Sequence, residues 1–129
     1  MMRFVHIQTD TKKYAGITIA YTRTEGNIFF SYALCCKPDT YSKSLGRVAS
    51  DATYLKHLDD FHHDVDYVDE EKRIGCMSIA NLQETLIADG QDKVFADQLL
   101  ESLTWMDLKH LFVSKILVNF IFAADTRLQ

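Results

Sequence analysis

The sequence predicts an α+β fold: an N-terminal antiparallel β-sheet packed by a helix over 39–58 and followed by a helical C-terminal half. Three observations predict it. Residues 14–36 alternate in polarity with a period of two around a Gly26-Asn27 turn, which is the pattern of a β-hairpin. From Leu45 to Leu58 the apolar residues recur at helical spacing. Beyond residue 78, apolar residues again recur every three or four positions, punctuated by Gly90, Asp92 and Asp107.

At 129 residues the chain is read as one domain, large enough to bury a core without staples. A hydrophobic content of 47% with 25% charged residues is globular. A net charge of −4 disfavours whole-molecule attraction to nucleic acid or to an anionic membrane. The longest apolar run, Leu111 to Ala124, contains Lys115 and Asn119, so no membrane span is expected. The first residues carry no charged-then-apolar signal pattern. Cys35, Cys36 and Cys76 are odd in number, and neighbours on a strand cannot pair easily. A cytoplasmic, reducing setting is therefore expected.

The elements follow in order. Residues 3–9 read as a short strand. Tyr14 to Arg23 puts Ile17, Ile19 and Tyr21 on one face and Thr18, Ala20 and Thr22 on the other. Thr24-Glu25-Gly26-Asn27 turns the chain, with Gly26 and Asn27 tolerating positive φ. Ile28 to Cys36 returns with Phe30, Tyr32 and Leu34 on one face and Phe29, Ser31, Ala33 and Cys35 on the other. Both faces are apolar enough to predict helices over one and a partner subunit over the other.

The first helix, 39–58, is expected to be capped by Asp39 or Thr40 after Pro38, with Leu45, Val48, Ala49, Ala52, Leu55 and Leu58 as its buried stripe. Residues 59–73 are acidic and read as loop, with Asp64 to Val68 a possible edge strand. The part from 78 to 124 reads as helical. Ser78 to Asp89 forms a helix with Ile79, Leu82, Leu86 and Ile87 inward, ended by Gly90. A third helix, capped by Asp92, carries Phe95, Leu99, Leu103 and Met106. A fourth starts at Asp107 with Leu108, Leu111, Phe112, Ile116, Phe120 and Phe122 inward. Within it, Ile116 to Phe122 suits a final strand as well as a helix.

Chemistry concentrates at residues 35–47, where a strand ends and a helix begins. Helix-start N–H groups and the positive end of the dipole favour an anion there. Lys43 and Arg47, four apart, would supply charge; Ser42 and Ser44 would supply directional hydrogen bonds to phosphate oxygens. Tyr41 would stack on a base or pack on the core, and Gly46 permits a close approach. The bland alternative is a solvated basic helical turn. A phosphate-binding loop of the nucleotide hydrolase type is excluded, because Gly-x-x-x-x-Gly-Lys-Ser/Thr is absent.

A second cluster comprises His57, Asp59, Asp60, His62, His63, Asp64 and Asp66. Of these, His62, His63, Asp64 and Asp66 are the metal-ligand candidates, since imidazoles and carboxylates suit zinc or manganese. The spaced His pairs of zinc signatures are missing, which favours a solvated acidic loop with titrating histidines. Cys36 lies near a helix start and Lys37, but no His is placed beside it, so a strand cysteine is the better reading than a nucleophile. Trp105, Tyr67 and the Phe-rich tail read as core or oligomer interface.

The run Cys36-x-Pro38-Asp39-x-Tyr41-Ser42-Lys43-x-x-Gly46-Arg47-x-Ala49, within residues 31–55, resembles small phage proteins of the Thoeris anti-defence sponge family. The resemblance implies a non-catalytic protein that binds signalling cyclic nucleotides of bacterial immune enzymes and keeps them from their effectors. It carries Lys43 and Arg47 over as phosphate contacts, with Tyr41 and Ser42 structural or secondary.

The leading expectation is thus a non-enzymatic homo-oligomer that sequesters a phosphorylated small molecule, with no cofactor. One alternative is an acidic interaction protein whose stretch from Asp59 to Glu71 mimics phosphate spacing and inhibits a host nucleic-acid-binding enzyme. Another is a metal-dependent hydrolase built on the His/Asp cluster.

Overall fold

A computed structural model describes residues 2–9, 11–24, 26–88, 90 and 107–129. Its centre is a five-stranded sheet in the order β1-β2-β3-β5-β4, with every neighbouring pair antiparallel. The strands are β1 (Arg3–Gln8), β2 (Tyr14–Thr24), β3 (Asn27–Cys36), β4 (Tyr67–Asp69) and β5 (Ile74–Ser78). The helices are α1 (Lys43–Lys56), α2 (Ile79–Ala88) and α3 (Asp107–Ala124). The predicted α+β class and the hairpin over 14–36 are what the structure contains. Gly26, at φ 82°, takes the left-handed conformation of the turn, while Asn27 already pairs with Thr24 as strand.

Alternation along β2 and β3 sorts the side chains as expected. One face carries Ile17, Ile19, Tyr21, Ile28, Phe30 and Tyr32, all fully buried. It is covered by α2 and α3 through Leu82, Leu86, Val113, Ile116, Leu117 and Ile121. Phe120 sets its ring edge-on to Phe30 at 6.2 Å. The spacing of Val113, Ile116, Leu117 and Ile121 resolves the ambiguity at 116–122 in favour of helix. Phe120 and Phe122 are only partly buried at the margin of this core.

Among the described residues, the buried Asp125 carboxylate ties this layer. Tyr32 donates its hydroxyl to Asp125 Oδ2 at 2.7 Å, and Arg127 grips the same carboxylate through Nε at 2.9 Å and Nη2 at 2.6 Å. Burial alone would raise the Asp125 pKa, but the bonds from Arg127 and Tyr32 outweigh it and hold it down to about 2.

The opposite face carries small and polar residues where α1 crosses it, with a smaller apolar cluster of Phe29, Tyr54 and Cys76 toward the end of that helix. Ser50 and Tyr54 are the buried residues of that helix. Gly46 lies directly on Thr18, so that a Cβ there would overlap the threonine hydroxyl. Ser31 donates to the Ser50 carbonyl at 2.7 Å, and the Tyr54 hydroxyl meets Thr22 Oγ1 at 2.7 Å. Beyond the end of α1, Phe61 packs on Phe29 and Tyr54 at 5.1 and 4.9 Å between ring centroids.

Several expectations are corrected. The helix begins at Lys43 rather than 39, because Ser42, not Asp39 or Thr40, provides the cap: its Oγ accepts Leu45 N–H at 3.3 Å. The supposed buried stripe faces outward, with Leu45 70%, Val48 68%, Leu55 60% and Leu58 55% exposed. The sheet beneath α1 offers Thr18, Ser31 and Ala33 rather than large apolar side chains, so the polar side of the helix fits it better.

The region 59–73 is not all loop, since β4 forms at 67–69, later than the expected 64–68. The helix expected over 78–89 is present as α2, and strand β5 occupies 74–78, a stretch with no expected element between the acidic region and that helix. This strand lies between β3 and β4 and is buried along Ile74–Met77, so it lacks the alternation that marks a half-buried strand. In α2, Ile87 is exposed rather than inward. The helix expected after Asp92, with Phe95, Leu99, Leu103 and Met106, and the role assigned to Trp105 lie outside the described residues. Helix α1 crosses the sheet face expected to carry a partner subunit.

Candidate functional site

The junction of β3 with α1 forms a cleft of about 220 Å³. One wall is the end of β3, at Ala33, Leu34 and Cys35; the other is the first turns of α1, at Leu45, Gly46 and Ala49. Asp39, Thr40, Tyr41 and Ser42 close the end and Thr18 lies at the base. The lining is apolar along the walls and polar at the helix start. There the first N–H groups of α1 have no intrahelical acceptor, and Ser42 takes one of them.

Two glycines create this geometry. Gly46 lets α1 descend onto Thr18, and Gly16 lets the Tyr41 ring lie flat against β2, where any Cβ would overlap it. Pressed there, the Tyr41 hydroxyl donates to Ile17 O at 3.2 Å and meets Thr18 Oγ1 at 3.1 Å and His6 Nδ1 at 3.3 Å. His6 and Thr18 are direct partners in the β1–β2 register and touch at 3.2 Å. Arg47 Nε donates to His6 Nε2 at 3.3 Å while its guanidinium sits over the Phe4 ring at 5.7 Å. Since Arg47 can only donate, the neutral imidazole carries its proton on Nδ1 and offers it to Thr18 or Tyr41. Burial, then the charges of Arg47 and Lys43, push the His6 pKa below its usual value.

The five predicted ligand residues are therefore divided by α1. Tyr41 and Ser42 line the cleft on the β3 side. Arg47 lies on the β1 side of the helix, over Phe4 and His6, with Lys43 close enough to bear on the same imidazole. Ser44 is exposed at the helix start, 3.2 Å from Ser42 through the two hydroxyls. Tyr41 is the side chain common to both halves. His6 and Thr18 were missed by sequence reasoning, although strand alternation places both on the face that α1 crosses.

The His/Asp cluster ties its own segment to the neighbouring strands. Asp64 accepts from Asn27 Nδ2 at 3.1 Å, and Asp66 accepts Ser78 N–H at 2.6 Å. Asp60 meets His57 Nδ1 at 2.8 Å. The His63 ring packs edge-on to Phe29, and the His62 ring against Tyr67. Among the described residues, no three His, Cys, Asp or Glu side chains come together to hold a metal ion. Cys36 is exposed at the last position of β3. Burial, reinforced by Asp66, lifts the Cys76 thiol to about 11, far from a thiolate at neutral pH.

Comparison with protein families, curated proteins and solved structures finds no match to this chain. No helix among the described residues is long and apolar enough to cross a membrane.

Proposed function

We propose that the chain is a non-enzymatic binding protein that sequesters a phosphorylated small molecule of the cyclic-nucleotide or cyclic ADP-ribose type. The observation that carries this reading is the cleft at the start of α1, apolar along its walls and closed at its end by Asp39, Thr40, Tyr41 and Ser42, beside the first N–H groups of the helix. A base or similar flat group would lie between Ala33, Leu34, Leu45 and Ala49. Its phosphate would meet Ser42, Ser44 and the first-turn N–H groups, with the Lys43 ammonium reaching in on its flexible stem. Arg47 acts at one remove in this scheme, holding His6 and through it the Tyr41 hydroxyl. The cleft is smaller than the roughly 300–1,000 Å³ of pockets that enclose a whole small-molecule ligand. It would grip one part of the ligand and leave the rest outside.

On this reading the protein works where such signals are made, in the cytoplasm of a host cell, and acts against defence signalling by removal rather than conversion. Phosphate mimicry by the acidic stretch is less favoured, because Asp60, Asp64, Asp66 and Asp69 are already used as internal acceptors.

A thermal-shift panel of cyclic dinucleotides, cyclic trinucleotides and cyclic ADP-ribose isomers tests the proposal. A ligand at a hundredfold excess over its Kd should stabilise the fold by about 2.7 kcal/mol. Filling the cleft with Ala49→Trp, or reversing charge with Lys43→Glu, should remove that shift. Absence of a shift with every compound, or an undiminished shift in Ala49→Trp, would overturn it.

A further inference from the structure

Helix α1 carries its apolar residues on the side away from the sheet. Gly46, Ser50 and Tyr54 face inward, so Leu45, Val48, Ala49, Ala52 and Leu55 form a ridge along the opposite side, continued by Leu58. We infer that this ridge docks antiparallel on the same ridge of a second copy of the chain.

The pattern is nearly symmetric about its own middle. Leu45 stands at one end, Leu55 at the other, and the small residues Ala49 and Ala52 lie between. An isologous two-fold contact requires such self-complementarity, since whatever one copy presents at i must suit what the other presents at j. Crossed antiparallel, Leu45 of each copy meets Leu55 of the other, while the alanines let the backbones approach to the 8–10 Å typical of packed helices. The antiparallel sense also opposes the two helix dipoles favourably.

The exposed area fits that occupant. Four large apolar side chains more than half exposed, with two alanines, present on the order of 500 Å² on each copy, so a pair buries about 1,000 Å², the lower bound for a specific interface. The contact is thus a concentration-dependent dimer rather than an obligate one. Leu45 and Ala49 belong both to this ridge and to the wall of the cleft, so docking would narrow the cleft mouth. The docking itself does not depend on what the cleft binds.

Sedimentation equilibrium of the full chain, from about 1 to about 500 µM, covers the range in which a contact of this size is populated. A monomer–dimer equilibrium is expected, weakened at least tenfold by Leu55→Glu and by Leu45→Lys. Both positions are exposed, so unchanged circular dichroism should accompany the loss, and Val48→Ser supplies a milder third variant that weakens without a charge. The antiparallel register has its own check. Mixing Leu45→Lys with Leu55→Glu should restore a heterodimer, because one contact then pairs opposite charges and the other is native. A monomer at every concentration, a dimer indifferent to Leu55→Glu, or a mixture that stays monomeric would overturn the inference.

Discussion

The two faces of the sheet are held by different physics. On one, Ile17, Ile19, Tyr21, Phe30 and Tyr32 interlock with α2 and α3, and stability comes from large apolar area removed from water. On the other, Gly16, Thr18 and Ser31 receive Tyr41, Gly46 and Ser50 of the α1 region, through close approach and hydrogen bonds. The first arrangement builds a core. The second spends its apolar residues elsewhere, leaving a cleft beside α1 and a ridge above it.

The largest effect should come from the first face. Phe30→Ala removes a fully buried ring that packs against Phe120, and about 3–5 kcal/mol of stability should go with it, read by urea unfolding. On the second face the sensitive event is addition rather than removal. Gly46→Ala places a methyl group into the Thr18 hydroxyl and should cost about 1–3 kcal/mol. In a Thr18→Gly background, which by itself loses the Tyr41 and His6 contacts, the added methyl should cost little, so the double-mutant cycle reports a coupling that independent sites lack. If Gly46→Ala is neutral by itself, the contrast between the faces fails.

Next in size is the polar anchor on the first face. The Asp125 carboxyl has a folded pKa of about 2, below the roughly 3.9 of an unfolded aspartate. Its contribution is therefore fully present above about pH 4 and disappears as pH falls through about 2, on the order of 2 kcal/mol in total. Melting temperature followed from pH 5 to 2 should drop more steeply in the native chain than in Asp125→Asn. Equal slopes would remove Asp125 from the account of acid stability.

What could be read from the sequence follows the same division. The alternation of β2 and β3 was legible because their side chains change character with a period of two, and the position of the cleft was legible because a strand ends there and a helix begins. The orientation of α1 was not. Helical spacing of Leu45, Val48 and Leu55 reveals a stripe but not which way it faces, and the inward signal, Gly46-x-x-x-Ser50-x-x-x-Tyr54, is polar and small. Strand β5 was hidden by burial on both faces. The division of Arg47 from the cleft was also hidden, since it depends on His6, a residue distant in the chain, drawing Arg47 toward β1.

The smallest expected effect is the most discriminating between the faces. Leu86, on α2, is buried, whereas Leu55, on α1, is 60% exposed. Leu86→Ala should cost about 2–5 kcal/mol. Leu55→Ser, measured in dilute protein where no second copy is bound, should stay within about 0.5 kcal/mol of the native chain. A leucine whose loss the fold does not register is free to serve the contact between copies. If Leu55→Ser instead unfolds the dilute protein, the ridge is part of the core, and both the outward orientation of α1 and the open cleft beside it must be given up.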